Sequence, residues 1–245
     1  MRPPFAPTHD RKAIEIGGDG HDALRRKLEK RLQEMVERSL SGQRERVLGR
    51  IRYGQVVDDV FWKAEVERLQ QELLPHVNAA IAESQGIAVQ DLAALVHVGI
   101  DAAMFNARLA KWARTYSFDL IKDITDNTRR AVQEAVMNWS IMGEEMNELT
   151  KLLEPLFGPV RGKLIAETEI TRLFAMAHLE SWRLSGVVEA REWRTANDEV
   201  VCPICGELAG QQAELDKGFI GGVSDPPAHP RCRCWTVPVI RTVRR

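Results

Sequence analysis

The sequence has no stretch of about 18 apolar residues, so no segment is fit to span a bilayer as a helix. Its opening residues, MRPPFAPTHDRK, lack the apolar core of a secretory signal, and the expected compartment is a cytoplasm with no membrane partner. Charge bias is also missing. Thirty-four basic side chains stand against 35 acidic ones, a formal net charge of -1, so no whole-protein field draws the chain onto nucleic acid. Any such contact must be local.

The motifs of common catalytic sites are absent as well. There is no phosphate-cradling GxxxxGK[ST], no GxGxxG after a strand, no GxSxG elbow and no helix-borne HExxH. The histidines are scattered, with no serine or cysteine partner at motif spacing. The expectation is a protein that is not an enzyme and has no small-molecule substrate. Cysteines number only four, all between Cys202 and Cys234. In a reducing compartment that clustering favours a metal site or plain thiols over disulfides.

What is present fits a mainly α fold: an elongated helical body with a small C-terminal α+β, cysteine-containing module. At 245 residues with 44% hydrophobic side chains, there is ample material for a core. Residues 1–20, rich in proline and glycine, read as a flexible arm, and 21–157 as the helical body. Leu24, Leu28, Leu32, Met35, Val36 and Leu40 recur at helical spacing on a charged segment. This stripe suits burial in the same chain or against another. A second helix is expected at 57–85, kinked or split by Pro75. Others are expected at 91–98, 101–115 and 118–139, the last capped by Ser117, with Trp112 and Trp139 as core anchors. A short helix at 143–155 precedes a long one at 159–185, opened by Gly158-Pro159 and closed by Gly186 as a left-handed cap.

After Gly186 the pattern changes. Val187–Thr195 reads as a strand, CRCWTVPVI at 232–240 as its returning partner, and glycine and proline crowd the stretch between. Such a module needs docking or a staple, because it is too small to bury a good core alone. Cys202-x2-Cys205 and His229-x2-Cys232-x-Cys234 offer five ligands where structural zinc takes four. A CxxC turn sets two thiolates on one side of a loop, and a CxC in extended chain sets both on one face. Cys202, Cys205 and Cys232 lead, with His229 or Cys234 fourth. The competing readings are a reduced thiol cluster in a small core, or a redox CxxC, which lacks a thioredoxin-like setting.

Three separated motifs, VRGKLIAETEITRLFAMAHLESWRLSGV, EWRTANDEVVCPICGELAGQ and PPAHPRCRCWTVPV, resemble the phage Mu protein F-like head morphogenesis family from residue 158 to 245. The zinc module would occupy 193–240. The matching positions are Glu167, Thr168, Glu169 and Arg172, then Gly186 and Val187, then Trp193, Asp198, Leu208 and Gly210. Pro226, Pro227, His229, Pro230, Cys232, Arg233 and Cys234 complete them. Glu167 stands where the family usually has arginine, and the Cys202-x2-Cys205 pair belongs to only some members. Upstream, TRRAVQEA and GEEMNELTKLLEPLF resemble the family's helical lead-in.

The resemblance implies a minor capsid protein of the phage head, assembled in the host cytoplasm and retained in the virion. Its implied partners are portal, capsid or scaffold proteins, and packaged DNA. For the DNA contact the chain offers Arg241, Arg244 and Arg245 in a tail that holds five arginines and no acid from 231 to 245. A second basic segment, 22–52, carries ten Lys or Arg against five acids. Either can equally be a solvated face. The alternative function is a zinc-dependent nuclease or peptidase carried in the particle, with Asp198 or Glu207 as base.

Overall fold

The computed structural model describes residues 11–16, 19–95, 102–143, 145–196 and 201–241. Helices make up 72% of it, and one small antiparallel sheet lies with the clustered cysteines near the C-terminus, so the mainly α fold class holds. In order the elements are β1 (Arg11–Ala13), α1 (Asp19–Arg52), α2 (Asp59–Leu95), α3 (Ala102–Met142), α4 (Met146–Phe157) and α5 (Pro159–Ser185). Then come β2 (Val188–Arg194), α6 (Pro203–Leu208), β3 (Gln212–Glu214), a 3-10 turn at Ile220–Gly222 and β4 (Trp235–Arg241). Among the described residues no helix is long and apolar enough to cross a membrane.

Several local expectations are corrected. α2 continues past Pro75 to Leu95, so Pro75 does not split it, and α3 absorbs both helices expected between 101 and 139. Ser117 therefore lies inside a helix and not at its start. Trp112 and Trp139 are half-buried, not core anchors: Trp112 stacks on Tyr116 at 4.6 Å, and Trp139 Nε1 donates to the Glu145 carbonyl at 3.1 Å. The buried tryptophans are Trp62, Trp182 and Trp193. Within the segment read as an arm, Arg11–Ala13 pair with Arg241–Val239 of β4. Three residues are too few to carry a periodic signal, and it is backbone hydrogen bonding that holds them.

The chain packs as two compact units, each discontinuous in sequence. In sequence, α1, α2, α3 and α5 each run from one unit into the other. The helical unit comprises 24–82 and 108–170. Leu28, Leu32, Met35, Val36 and Leu40 of α1 are buried in it, so the N-terminal stripe is spent on this chain's own interior. α4 adds Leu149, Leu153 and Phe157, spaced by four residues and all buried on one face. Gly162 of α5 sits so close to α1 that a Cβ there would meet Glu37 Cγ at 2.5 Å. Part of the basic segment is also internal: Arg46 grips the buried carboxylate of Glu65 at 2.6 and 2.7 Å.

The sheet-bearing unit comprises 1–23, 83–107 and 171–245. Its strand order is β1-β4-β2-β3, all antiparallel, with an irregularity between Val188 and Ala190. α5 ends as expected, with Gly186 at φ 66° in the left-handed region that favours glycine. Leu92, Trp182 and Val188 form one small core here, with Ile16, Val187, Leu215 and Ile240 against it. Beside it lies Asp91 of α2. Burial raises its carboxyl, but the adjoining rings of His178 and His21 prevail and hold it down to about 2.

Candidate metal centre

A second core fills the other part of this unit: Trp193, Cys205, Leu208, Ala213, Phe219, Cys232 and Cys234 are all buried together. Alternation along β2 places Arg191 and Trp193 on the same face. The Trp193 ring meets Phe219 edge-on at 5.1 Å. Across the chain, Gly210 N–H donates to the Trp193 carbonyl at 2.9 Å and Trp193 N–H to the Gln211 carbonyl at 2.9 Å. Gly210 takes φ 76° to make that return, which a side chain at this position would resist. Two of the residues singled out from the sequence, Trp193 and Gly210, are thus one structural feature.

The cysteines arrive on two short turns. Cys202 is the N-cap of α6, its sulfur accepting from Cys205 N–H at 3.4 Å, and Pro203 fills the first helical position, where no N–H is needed. In the other turn Cys232 N–H donates to the His229 carbonyl at 3.1 Å, with Arg231 in the left-handed region at φ 62°. Thr171 of α5 fastens this turn by donating to the Cys232 carbonyl at 3.2 Å. The stretch carrying Cys232 and Cys234 precedes β4 and has no regular secondary structure.

These turns bring all five candidate ligands together. Cys202, Cys205 and His229 form one group whose ligand atoms lie within 4.8 Å of one another, and Cys205, Cys232 and Cys234 form another. Cys205 belongs to both. His229 Nε2 lies 3.1 Å from Cys202 Sγ and 3.2 Å from Cys205 Sγ, and Cys205 Sγ is 3.7 Å from Cys232 Sγ. In a tetrahedral site with zinc–sulfur bonds of about 2.3 Å, two sulfurs sit about 3.8 Å apart. The observed pair matches. The His229 Nδ1 proton goes to the Pro230 carbonyl at 2.8 Å, a bond that turns the Nε2 lone pair toward the sulfurs. The donor set therefore fits a metal ion of zinc's preferences.

Protonation points the same way. The Cys205 N–H lowers the Cys202 thiol, and a bond from Cys234 holds Cys232 down to about 5. Burial pushes Cys205 up to about 12, and the bond to Cys232 together with burial raises Cys234. Burial works against the charged form of His229, yet its bond to Pro230 and the neighbouring thiolates raise it. Two thiols held down beside two pushed up do not all ionise unaided, and a cation among them would stabilise the remaining thiolates.

The other residues named from the sequence scatter. Pro227 and Pro230 flank His229 in its turn, and Arg233 is exposed between the two buried cysteines. Glu169 is buried in α5, and Arg172 is half-buried one turn on. Arg241 ends β4, whereas Asp198, Arg244 and Arg245 lie outside the described residues. Glu207 is exposed on α6.

Sequence reasoning missed Arg191. The residue is 1% exposed, and its guanidinium binds Asp225 through Nε at 2.7 Å and Nη2 at 3.1 Å. It also donates to the carbonyls of Glu214, Lys217 and Ser224, and lies 4.9 Å above the Phe219 ring. One side chain thus pins the loop from β3 to the Pro226-Pro227 pair. An arginine among other charges in EAREWR carries no signal of that role.

A family model described as "Phage Mu protein F like protein" matches residues 126–237. Over this segment the chain is similar to the phage Mu protein F-like family. The match begins well before Gly158, so the helical lead-in, including the end of α3 and all of α4, belongs to the Mu F-like segment along with the cysteine turns. No curated protein and no solved structure matches the chain.

Proposed function

We propose that this chain is a minor structural protein of a phage head, acting in head morphogenesis through contacts with portal and with capsid or scaffold proteins, and not as an enzyme. The observation that carries the reading is the Mu F-like match over 126–237, which takes in helices, sheet and cysteine turns together. In this reading the cluster of Cys202, Cys205 and Cys232, completed by His229 or Cys234, holds a structural zinc. Bound there, the ion would neutralise the thiolates and cross-link α6 to the turn before β4.

Purified full-length protein is expected to carry one zinc per chain that survives dialysis against metal-free buffer, and Cys202→Ser to lose it. Elemental analysis that finds no retained zinc would sink the metal assignment while leaving the head assignment standing. For the latter, the protein is expected to co-purify with portal or procapsid components, and removal of the gene to spare DNA replication but yield defective heads. Normal infectious titres without it would overturn the reading. Metal-dependent cleavage of DNA or peptide, abolished by Asp198→Ala, would favour the hydrolase instead.

DNA contact through the terminal arginines is part of the proposal. Removing residues 235–245 cannot test it, because β4 lies between β1 and β2 in the sheet. Arg244→Ala with Arg245→Ala changes no residue of β4 and should weaken DNA binding and flatten its salt dependence, as loss of phosphate contacts does.

A further inference from the structure

Apart from the cysteine cluster, three side chains from three helices converge. His21 opens α1, Asp91 lies near the end of α2, and His178 is in α5, and their ligand atoms lie within 4.8 Å of one another. His21 Nε2 is 3.1 Å from Asp91 Oδ1 and 3.0 Å from Oδ2. His178 Nε2 is 3.0 Å from the same Oδ2. The two rings stand 5.7 Å apart, tilted by 37°. We propose that His21, Asp91 and His178 are a second metal site, for a divalent ion of the zinc, nickel or iron type, distinct from the cysteine cluster.

The tautomer of His178 is the first argument. Its Nδ1 lies 2.9 Å from the Phe174 carbonyl, which can only accept, so Nδ1 carries the proton. The other ring nitrogen, Nε2, then faces a carboxylate oxygen at 3.0 Å, an arrangement that calls for a cation between the two. A proton is one such cation and a metal ion is the other. The His21 Nε2 converging on the same carboxylate favours the metal, since one anion is then shared by two nitrogens.

The spacing is the second argument. Nitrogen and oxygen ligands bound at about 2.0–2.2 Å stand about 3.0–3.5 Å apart when adjacent on one ion, and the observed separations fall at the lower end of that range. The bond from Nδ1 to a backbone carbonyl is the support that ligating histidines usually have. Phe174 and Trp182 flank His178 as an apolar wall, while His21 and Asp91 keep 22% and 17% exposure, so an ion can enter and retain water. Two imidazoles and one carboxylate suit borderline transition metals over calcium or magnesium. The ion would clasp the start of α1 to α2 and α5 within the sheet-bearing unit.

The test is zinc binding by the full chain, dialysed to equilibrium against micromolar zinc and assayed by elemental analysis alongside thermal denaturation. Wild type is expected to bind one zinc more per chain than His21→Gln or Asp91→Asn, and added zinc to raise its Tm but not theirs. His21 is partly exposed, so His21→Gln keeps the test readable if Asp91→Asn folds poorly. In Cys205→Ser this increment should persist, which separates it from the cysteine cluster. Equal zinc content in wild type and His21→Gln, with the same response of Tm, would overturn the proposal and leave the triad an imidazolium–carboxylate ion pair.

Discussion

The helical unit and the cysteine module bury their interiors by different means. In the first, α1, α2, α3, α4 and α5 each contribute buried apolar side chains, from Leu28 to Ile170, so burial is spread over many residues. In the second, seven residues around Trp193 form the whole core, three of them cysteines, and one guanidinium ties down the adjoining loop. Redundant burial tolerates loss gradually. A core this small depends on a few polar and sulfur atoms, and the loss of one should be felt throughout it.

The sharpest way to break that contrast is Arg191→Ala. It strands the Asp225 carboxylate and three carbonyls, and should cost about 3–5 kcal/mol, as breaking a buried pair does. Hydrogen exchange is expected to show protection lost across 188–241 and retained in 146–157. Equal loss in both segments would mean that the two regions do not differ as argued. Next comes Leu153→Ala, fully buried in α4, with an expected loss of about 2–5 kcal/mol. Here the midpoint of chemical denaturation should fall while zinc content stays unchanged. Smaller again is Gly162→Ala, where a new Cβ would stand 2.5 Å from Glu37 Cγ; overpacking of this kind costs about 1–3 kcal/mol. The double variant with Glu37→Ala should recover most of it. No recovery would place the strain elsewhere than at that side chain.

How much could be read beforehand follows the same contrast. Apolar stripes such as Leu28–Leu40 announced their helices, and strands near Trp193 and Trp235 were legible with the CxxC and HxxCxC spacings between and after them. Helix continuity was not legible. Ser84-Gln85-Gly86 looks like a break, yet Ser84 and Ala88 are both fully buried within α2, and packing outweighs the weak local preference. Trp112 and Trp139 misled because size alone does not say which face of a helix is turned inward. Arg191 and the pair of His21 and His178 with Asp91 were invisible for another reason. Their partners lie 34, 70 and 87 residues away, and only the folded chain brings them within a bond's length.

The strand order has a consequence for life in a crowd. The two seven-residue strands, β4 and β2, occupy the middle of the sheet, and each rim is a strand of only three residues, β1 on one side and β3 on the other. An open rim is a template on which a stranger's backbone can continue the ladder, and aggregation of β proteins commonly starts there. With so short a stretch of amides and carbonyls on offer, an incoming chain gains few bonds before it runs out of rim. Long strands are kept inside and short ones face outward, so the sheet can be packed densely among other proteins without seeding a fibre.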